Sequence, residues 1–419
     1  MTARTTSSKT TKELILDAAF SFYKKPRYNA FSMSELAAKV GISKPAIYRH
    51  YKDKDAVLAA MYEHFVSALT DYLLNVQAVE QKGVMPVEPV ANIIQFFADH
   101  PSYVDYMMGN LSSQKNFEFT LIKDLEKRGV TIMSGFQFSS DSGESIVIKD
   151  FERYVNSIYC GVTIFIFIKG REKRLAGGEK PQSTQEFAEK LVLFLVNGLA
   201  GTTDKSDILY PQKISEERMA NLDELCTITP DMLPAENRFF TAFASVIRKY
   251  KFNGVTVERI ADELGMAKSS LYEYFDNKNE MIRSLIIKEL TLLDMISKEN
   301  IIEAQTFSEY LYVLMRSVFS FFQLRSSIIP ICGWLLMDST EGGFLKEFEG
   351  SDVWRDRLPV SFERPAFGMP LHSKEFISWI SCLPVSLVMQ CAGHKMTDDM
   401  LLSALKKMFD FVQYGIGKK

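Results

Sequence analysis

The stretch "GISKPAIYRHYKDK", residues 41–54, returns later in the same chain as "GMAKSSLYEYFDNK", residues 265–278. Each copy begins with a glycine, places a lysine three residues later and a tyrosine four residues after that, and ends in lysine. A shift of 224 positions superposes the two copies and also brings Ala18 onto Ala242 and Asn29 onto Asn253. Self-similarity at a fixed spacing indicates a duplicated unit. We therefore predict two copies of about 200 residues each.

The residues just before the first stretch predict a short helix with a defined start and stop. Ser32 followed three residues later by Glu35 is a capping box, in which each side chain bonds the backbone of the other residue. Gly41 then ends the helix, because glycine readily adopts the left-handed backbone that a tight helix stop needs.

A second short helix is predicted directly after this turn. Ser43 can cap its start, and Pro45 is tolerated in the first turn, where a missing amide has no helical partner. Ile47 and Tyr51, four residues apart, are expected to point inward. The remaining side chains are left facing outward or sideways: Lys44, Ala46, Tyr48, Arg49 and His50.

Two short helices joined by a glycine turn form the arrangement that lays a helix N-terminus into a DNA major groove. Lysine and arginine bond guanine edges, while tyrosine hydroxyls and helix-terminal amides suit phosphates. The alternative is an ordinary helical hairpin with a solvated charged face. Recurrence of the same turn, lysine and tyrosine favours DNA.

Charge is unevenly spread along the chain, although the total is only −3 with a pI near 6.1. Residues 1–54 hold 11 Lys and Arg against 4 Asp and Glu, a net charge of +7. Residues 235–278 hold 7 against 6, a net charge of +1. The first copy is therefore predicted to bind a polyanion more strongly. Arg4, Lys9 and Lys12 belong to a Ser/Thr-rich arm that either settles along a groove or is a solubilising tail.

The composition, 47% hydrophobic and 24% charged over 419 residues, is that of a folded globular protein. Apolar residues recur at helical spacing almost throughout, as in Leu14, Ala18 and Phe22, so we predict an all-α fold. No apolar run approaches the roughly 20 residues of a membrane-spanning helix. The five cysteines form no CxxC pair, and we expect a cytoplasmic location.

No enzyme motif accompanies these features. The sequence contains no HExxH, GxSxG, GxxxxGK[ST] or GxGxxG, and its five histidines are dispersed. We therefore expect no catalytic residues, no metal and no cofactor.

Two segments carry a resemblance to a known family, the tetracycline-repressor (TetR) family of transcriptional regulators. They are "ILDAAFSFYKKPRYNAFSMSELAAKVGISKPAIYRHYKDKDAVL" and "FFTAFASVIRKYKFNGVTVERIADELGMAKSSLYEYFDNKNEMI". Each resembles the N-terminal DNA-binding domain of that family. Outside them the likeness is to helical architecture only.

The resemblance implies which residues meet DNA. Lys44, Pro45 and Ala46 would open the recognition helix and meet bases, Tyr48 and His50 would lie at the backbone or a base edge, and Lys54 would meet a phosphate. Arg49 is a further candidate, as are Ser32 and Thr256 at the helix starts, and the second copy contributes the matching residues. The candidate DNA-binding residues are therefore Ser32, Lys44, Pro45, Ala46, Tyr48, Arg49, His50, Lys54, Thr256, Lys268, Ser269, Ser270, Tyr272, Tyr274 and Lys278. Glu273 in place of Arg49 is a departure, since a carboxylate repels phosphates.

The resemblance also implies an architecture. Family members are dimers joined through their last two helices, for which residues 186–199 and 400–416 are the natural counterparts here. Two helix-turn-helix DNA-binding domains, each followed by a helical ligand-binding and dimerisation domain, would then form an internal pseudo-dimer. The predicted parts are an arm and first helix-turn-helix domain (1–57), a first regulatory domain (58–205), a linker (206–234), a second helix-turn-helix domain (235–282) and a second regulatory domain (283–419).

The implied function is a ligand-responsive repressor that reads an imperfect palindrome in double-stranded DNA with two unequal heads. A small apolar effector is the implied ligand, because large apolar and methionine side chains are abundant in both regulatory domains. The chain would act as a monomeric pseudo-dimer or as a homodimer of chains. The alternative is a non-enzymatic helical adaptor that binds a ligand or protein and has lost DNA reading.

Overall fold

A computed structural model describes residues 9–24, 31–80, 88–113, 117–130, 148–180, 182–250, 255–272, 278–328, 373–391 and 396–417. Over these ranges the chain forms seventeen α-helices and no β-strand, which confirms the prediction of an all-α fold. None of the helices described combines the length and the apolar character that a membrane crossing requires.

The first half of the chain forms a small head and a larger body. We define the first head as α1 to α3 and the first body as α4 to α9. Their bounds are α1 (Thr11–Ser21), α2 (Met33–Val40), α3 (Lys44–His50), α4 (Lys54–Glu80), α5 (Glu88–Asp99), α6 (Pro101–Ser113), α7 (Phe117–Lys127), α8 (Ile148–Ala176) and α9 (Thr184–Thr202).

The second half repeats this plan after a connecting helix, α10. The second head consists of α11 to α13, and the second body of α14 to α17. The bounds are α10 (Glu216–Leu225), α11 (Arg238–Tyr250), α12 (Val257–Leu264), α13 (Lys268–Leu271), α14 (Lys278–Ile301), α15 (Phe307–Leu324), α16 (Ser373–Cys391) and α17 (Asp398–Tyr414). Since α12 and α14 each begin 224 residues after α2 and α4, the sequence repeat is also a structural repeat.

The two bodies share one core, a four-helix bundle of α8 and α9 with α16 and α17. Trp379 of α16 is fully buried in it, with its ring centroid 5.8 Å from that of Phe167 on α8 and 5.3 Å from that of Phe194 on α9. Tyr159 of α8 packs against Phe411 of α17 at 5.6 Å. These large apolar surfaces leave water together, so burial joins the halves into an internal pseudo-dimer.

The segment between α9 and α11 connects the halves and lies along α15 of the second body. The Gln212 N–H donates to Ser308 Oγ, and the Ile228 N–H donates to Ser320 Oγ, both at 2.8 Å. Arg218 of α10 forms an ion pair of 2.9 Å with Glu309. The second body therefore holds the connection through hydrogen bonds along much of its length.

Candidate nucleic-acid interface

The start and the stop of α2 are set by side chains that the sequence singles out. Ser32 Oγ accepts from the Glu35 N–H at 3.1 Å, and Glu35 Oε2 accepts from the Ser32 N–H at 2.7 Å. Gly41 ends the helix with φ of 78°, in the left-handed region that side chains rarely adopt. The predicted capping box and glycine stop are confirmed.

The candidate recognition helix of the first head is α3, which begins three residues after that glycine. Ser43 Oγ accepts from the Ala46 N–H at 3.3 Å and so caps the helix, as predicted. Ile47 is fully buried, and Tyr51 just after the helix is buried too. Because these two side chains point inward, the others of α3 lie toward the surface. The exposed or half-buried side chains are those of Lys44, Pro45, Ala46, Tyr48, Arg49 and His50.

The cations of the first head differ in how far they are engaged. Lys44 is exposed and forms no ion pair within the ranges that the structure describes. Lys54, at the start of α4, is half-buried with its Nζ 5.5 Å from the ring centroid of Phe31. Lys9 pairs with Asp17 at 2.6 Å, and this hydrogen bond raises the pKa of the lysine. Lys44 is therefore available to an incoming anion at the helix start.

The second head has the same turn but a shorter recognition helix. Thr256 Oγ1 accepts from the Arg259 N–H at 3.3 Å and caps α12, and Gly265 ends α12 with φ of 65°. Ala267 precedes α13, where Ser43 stands in the first head, and gives it no side-chain cap. Of the candidate residues described on this side, Lys268, Ser269, Ser270 and Tyr272 are exposed or half-buried.

The recognition lysine of the second head is engaged within the head itself. Lys268 Nζ forms an ion pair with Glu258 Oε1 of α12. The hydrogen bond from Lys268 favours the charged carboxylate and lowers the pKa of Glu258 to about 2. Sequence reasoning did not single out Glu258. The alignment of the two copies at a spacing of 224 residues could have identified it, because it pairs Glu258 with the uncharged Ser34.

Three residues that the sequence analysis named in the second stretch have no described side chain. Glu273 and Tyr274 lie outside the described residues, and Lys278 is described only as the first residue of α14. Arg4 of the N-terminal arm lies outside the described residues as well.

Aromatic rings attach the first head to its body. Phe20 of α1 lies 5.1 Å, between ring centroids, from both Tyr103 and Tyr106 of α6. Tyr23, just after α1, lies 5.1 Å from Tyr106 in the same edge-to-face manner. Such ring pairs are rigid and directional, so a shift of α6 is expected to move the head.

Charged groups attach the second head to its body. Arg325, buried at the end of α15, pairs with Glu289 of α14 at 3.2 Å and with Glu236, just before α11, at 3.8 Å. Ser327 Oγ donates to Glu236 at 2.5 Å. Burial raises the pKa of Glu289, against the opposing effect of Arg325. The junction of the second head thus includes buried ion pairs and a hydrogen bond in addition to apolar contacts.

Comparisons with known proteins agree with this geometry. The family model described as "Bacterial regulatory proteins, tetR family" matches the chain twice, at residues 15–61 and 243–285. The "Uncharacterized HTH-type transcriptional regulator YerO" of Bacillus subtilis (strain 168) is 30% identical over 97 residues, which make up 22% of this chain and 33% of that protein. The chain thus spans about a third of that relative's length. Both matches of the family model fall on the two heads and the helices that leave them, so the chain carries, in tandem, two segments that match the tetR family of regulatory proteins.

Proposed function

We propose that the protein is a DNA-binding transcriptional regulator in which the first head makes the stronger contact with double-stranded DNA. The observation that carries this proposal is α3, which Ser43 caps and Ile47 anchors, so that Lys44, Tyr48 and Arg49 are presented outward. A helix held in this way can enter a major groove with its N-terminal side chains against base edges. The two matches to the tetR family model and the similarity to a relative described as a transcriptional regulator support it.

The target we propose is an imperfect palindrome read by both heads of one chain. Heads that read successive major grooves on one face of the duplex lie about 34–36 Å apart. The bundle of α8, α9, α16 and α17 supports this reading, because it fixes both bodies to each other within one chain. The halves of the target would differ because the heads differ in the candidate base-contact residues, Pro45 and Ala46 in the first and Ser269 and Ser270 in the second. The domain limits predicted from the sequence remain part of this proposal.

We further propose that a small apolar effector acting on the body relieves repression. The support is the aromatic junction at Phe20, Tyr103 and Tyr106, through which a displaced α6 would change the position of the first head. An effector that binds better to one head arrangement shifts the chain toward it and thereby changes DNA affinity. Such a regulator works in the cytoplasm, where the DNA is.

The second candidate function is the non-enzymatic adaptor. One observation favours it: Lys268, which should open the second recognition helix, is already paired with Glu258. In that case the heads would bind another protein or serve only as structure.

A fluorescence-anisotropy titration separates the two functions. The full chain is titrated against labelled DNA from upstream of its own gene and against a shuffled duplex, each at two salt concentrations. The regulator binds the native duplex more tightly, and its affinity falls steeply with salt as phosphate contacts are screened. Equal or absent binding to both duplexes, followed by failure to enrich any site from random DNA, would leave the adaptor.

A further inference from the structure

The ion pair between Glu258 and Lys268 joins the two helices of the second helix-turn-helix. Both side chains are about half exposed, with relative accessibilities of 56% and 50%. Exposed ion pairs contribute little to stability, so the fold does not depend on this contact. The pair does change the charge that the second head presents to a ligand. A lysine and a glutamate lie together there, whereas the first head has the lysine alone among its described residues.

The first head provides an internal comparison for this contact. In the 224-residue register, Glu258 corresponds to Ser34, and Lys268 corresponds to Lys44. Ser34 is exposed on α2 and carries no charge, and Lys44 has no ion pair within the described ranges. The two heads thus share the turn and the lysine and differ in whether a carboxylate covers that lysine.

The rest of α12 adds to this difference. Its exposed acids are Glu258, Asp262 and Glu263, whereas α2 exposes Glu35 as its single acid together with the cation Lys39. The one cation of α12, Arg259, stacks on the ring of Tyr250 at 4.1 Å from the ring centroid. The first helix of a helix-turn-helix crosses the DNA backbone. Phosphates approaching the second head would therefore meet carboxylates there.

We propose that Glu258 is a specificity-determining residue that attenuates the second head by occupying Lys268, so that the chain reads one half-site strongly and the other weakly. This inference rests on the proposed function, because it assigns unequal roles to heads that bind DNA. A phosphate or a guanine edge that reaches Lys268 must either displace the carboxylate or bind beside its negative charge. Each half-site then contributes differently to affinity, and a mismatch in the first half-site is the more damaging one.

The test measures the DNA affinity and salt dependence of the full chain carrying E258Q, on the same native duplex as the unchanged protein. Each lysine–phosphate contact contributes about 0.9 to the salt slope, which corresponds to about a threefold change in affinity between 50 and 200 mM salt. We expect E258Q to bind roughly three- to tenfold more tightly at low salt and to steepen the slope by about one. E258S, which copies Ser34 of the first head, should behave alike.

Two controls separate occupation of Lys268 from a general loss of negative charge. D262N removes one exposed carboxylate from the same helix four residues away, on the same face, and should tighten binding much less. E258Q combined with K268A should lose the gain, because the released lysine is then missing. Circular dichroism and thermal unfolding check that each variant is folded.

The outcomes are distinct. If the unchanged chain prefers native DNA and K44A weakens that binding, while E258Q and E258S bind no better than D262N, the inference is wrong and the proposed function stands. A gain that survives K268A also overturns the inference. If neither the unchanged chain nor the E258Q variant binds any DNA, the proposed function itself fails and the inference fails with it.

Discussion

Gly198 and Gly415 meet backbone to backbone where the end of α9 crosses the end of α17. A Cβ atom on Gly198 would lie 2.4 Å from the Gly415 nitrogen, and one on Gly415 would lie 2.2 Å from the Val196 carbonyl oxygen. Beside this crossing, the Ile416 N–H donates to the Leu195 carbonyl at 2.9 Å. The last helices of the two halves are thus joined by main-chain contacts that only residues without a side chain permit.

Replacing Gly415 by alanine should destabilise the pseudo-dimer. Both glycines also have positive φ, 60° for Gly198 and 73° for Gly415, so an added side chain strains the backbone besides colliding with it. We expect Gly415→Ala to lower the free energy of unfolding by at least about 2 kcal/mol in a urea titration.

Gly161 is the matched control for this substitution. It is exposed within α8, and a Cβ there would meet nothing within 4 Å. Gly161→Ala should be neutral or stabilise by up to about 1 kcal/mol, because alanine is the better helix former. Equal effects of the two substitutions would mean that the crossing does not constrain the bundle.

The hydrogen bond between Trp379 and Thr163 links α16 to α8 inside the same bundle. The indole N–H donates to Thr163 Oγ1 at 2.9 Å, and both side chains are fully buried. Thr163→Val removes the acceptor and leaves the N–H in an apolar core, where an unsatisfied donor costs about 1–3 kcal/mol. We expect a loss of that size by thermal or urea unfolding.

Thr70→Val tests whether the loss belongs to the indole. Thr70 is also buried in a helix, but its hydroxyl donates to the Val66 carbonyl of its own helix at 2.7 Å. Its replacement should change stability by less than about 1 kcal/mol. Comparable losses at both positions would show that the hydrogen bond between the halves contributes no more to stability than one within a single helix.

The sequence predicted best those elements that depend on residues only a few positions apart in the chain. Ser32, Gly41 and Ser43 act within three or four residues of chain, so a capping box or a helix stop can be read from spacing alone. The pair of Glu258 and Lys268 lies ten residues apart and depends on how α12 and α13 pack. Neither charge pattern nor periodicity predicts that packing. The alignment of the two copies shows only that Ser34, which carries no carboxylate, occupies the position of Glu258 in the first head.

The contacts between the halves could be predicted only as architecture. The resemblance indicated that the final helices pair, yet the roles of Gly198, Gly415 and Trp379 follow from how those helices cross. The same holds for the head junctions, where Phe20 and Arg325 act through partners more than 30 residues away along the chain. Long-range packing of this kind leaves no signature in local sequence.

Lys169 should stabilise the first body in a pH-dependent way. Its Nζ lies 2.8 Å from Asp105 and 2.6 Å from Glu172, and Asp105 is buried on α6. Burial raises the pKa of Asp105 above its ordinary value of 3.8, although Lys169 opposes the shift. Lys169→Met leaves that carboxylate buried without this partner, and we expect a loss of about 3–5 kcal/mol at pH 7.

The loss caused by Lys169→Met should shrink as the pH falls. Without Lys169 the pKa of Asp105 in the folded protein rises further, so the folded state binds a proton that the unfolded chain releases. Stability of the variant then increases as the pH falls from 7 through the folded pKa of Asp105, until both states are protonated. Unfolding measured between pH 7 and pH 4, with Glu172→Gln as the control that keeps the central pair, checks this. A loss that is independent of pH would contradict it.

The mass in solution should be that of one chain, 47.7 kDa. The bundle of α8, α9, α16 and α17 already contains the helix pairs that the resemblance assigns to a dimer interface, so no second chain is needed to complete it. Light scattering at several protein concentrations, with and without DNA, measures this. Twice that mass would indicate a dimer of chains with four heads and would rule out the monomeric pseudo-dimer.

Substitutions in the recognition helices should have unequal effects on DNA binding. Lys44→Ala removes a cation that pairs with none of the described residues, so we expect roughly a three- to tenfold loss of affinity at moderate salt and a salt slope lower by about one. Lys268→Ala removes a cation already neutralised by Glu258, and its effect should be much smaller. Tyr48→Ala and Tyr272→Ala should follow the same order, although both tyrosines are similarly exposed at 43% and 47%.

Lys213→Ala provides the control for charge alone, because Lys213 is exposed in the connecting segment outside both heads. If binding depended only on the total charge of the chain, all three lysine substitutions would weaken it equally and the salt slopes would agree. If the two heads contributed equally, Lys44→Ala and Lys268→Ala would match each other and exceed Lys213→Ala. A dominant first head requires Lys44→Ala to stand apart from both, because Lys44 is the recognition lysine whose charge is not offset by a carboxylate of any described residue.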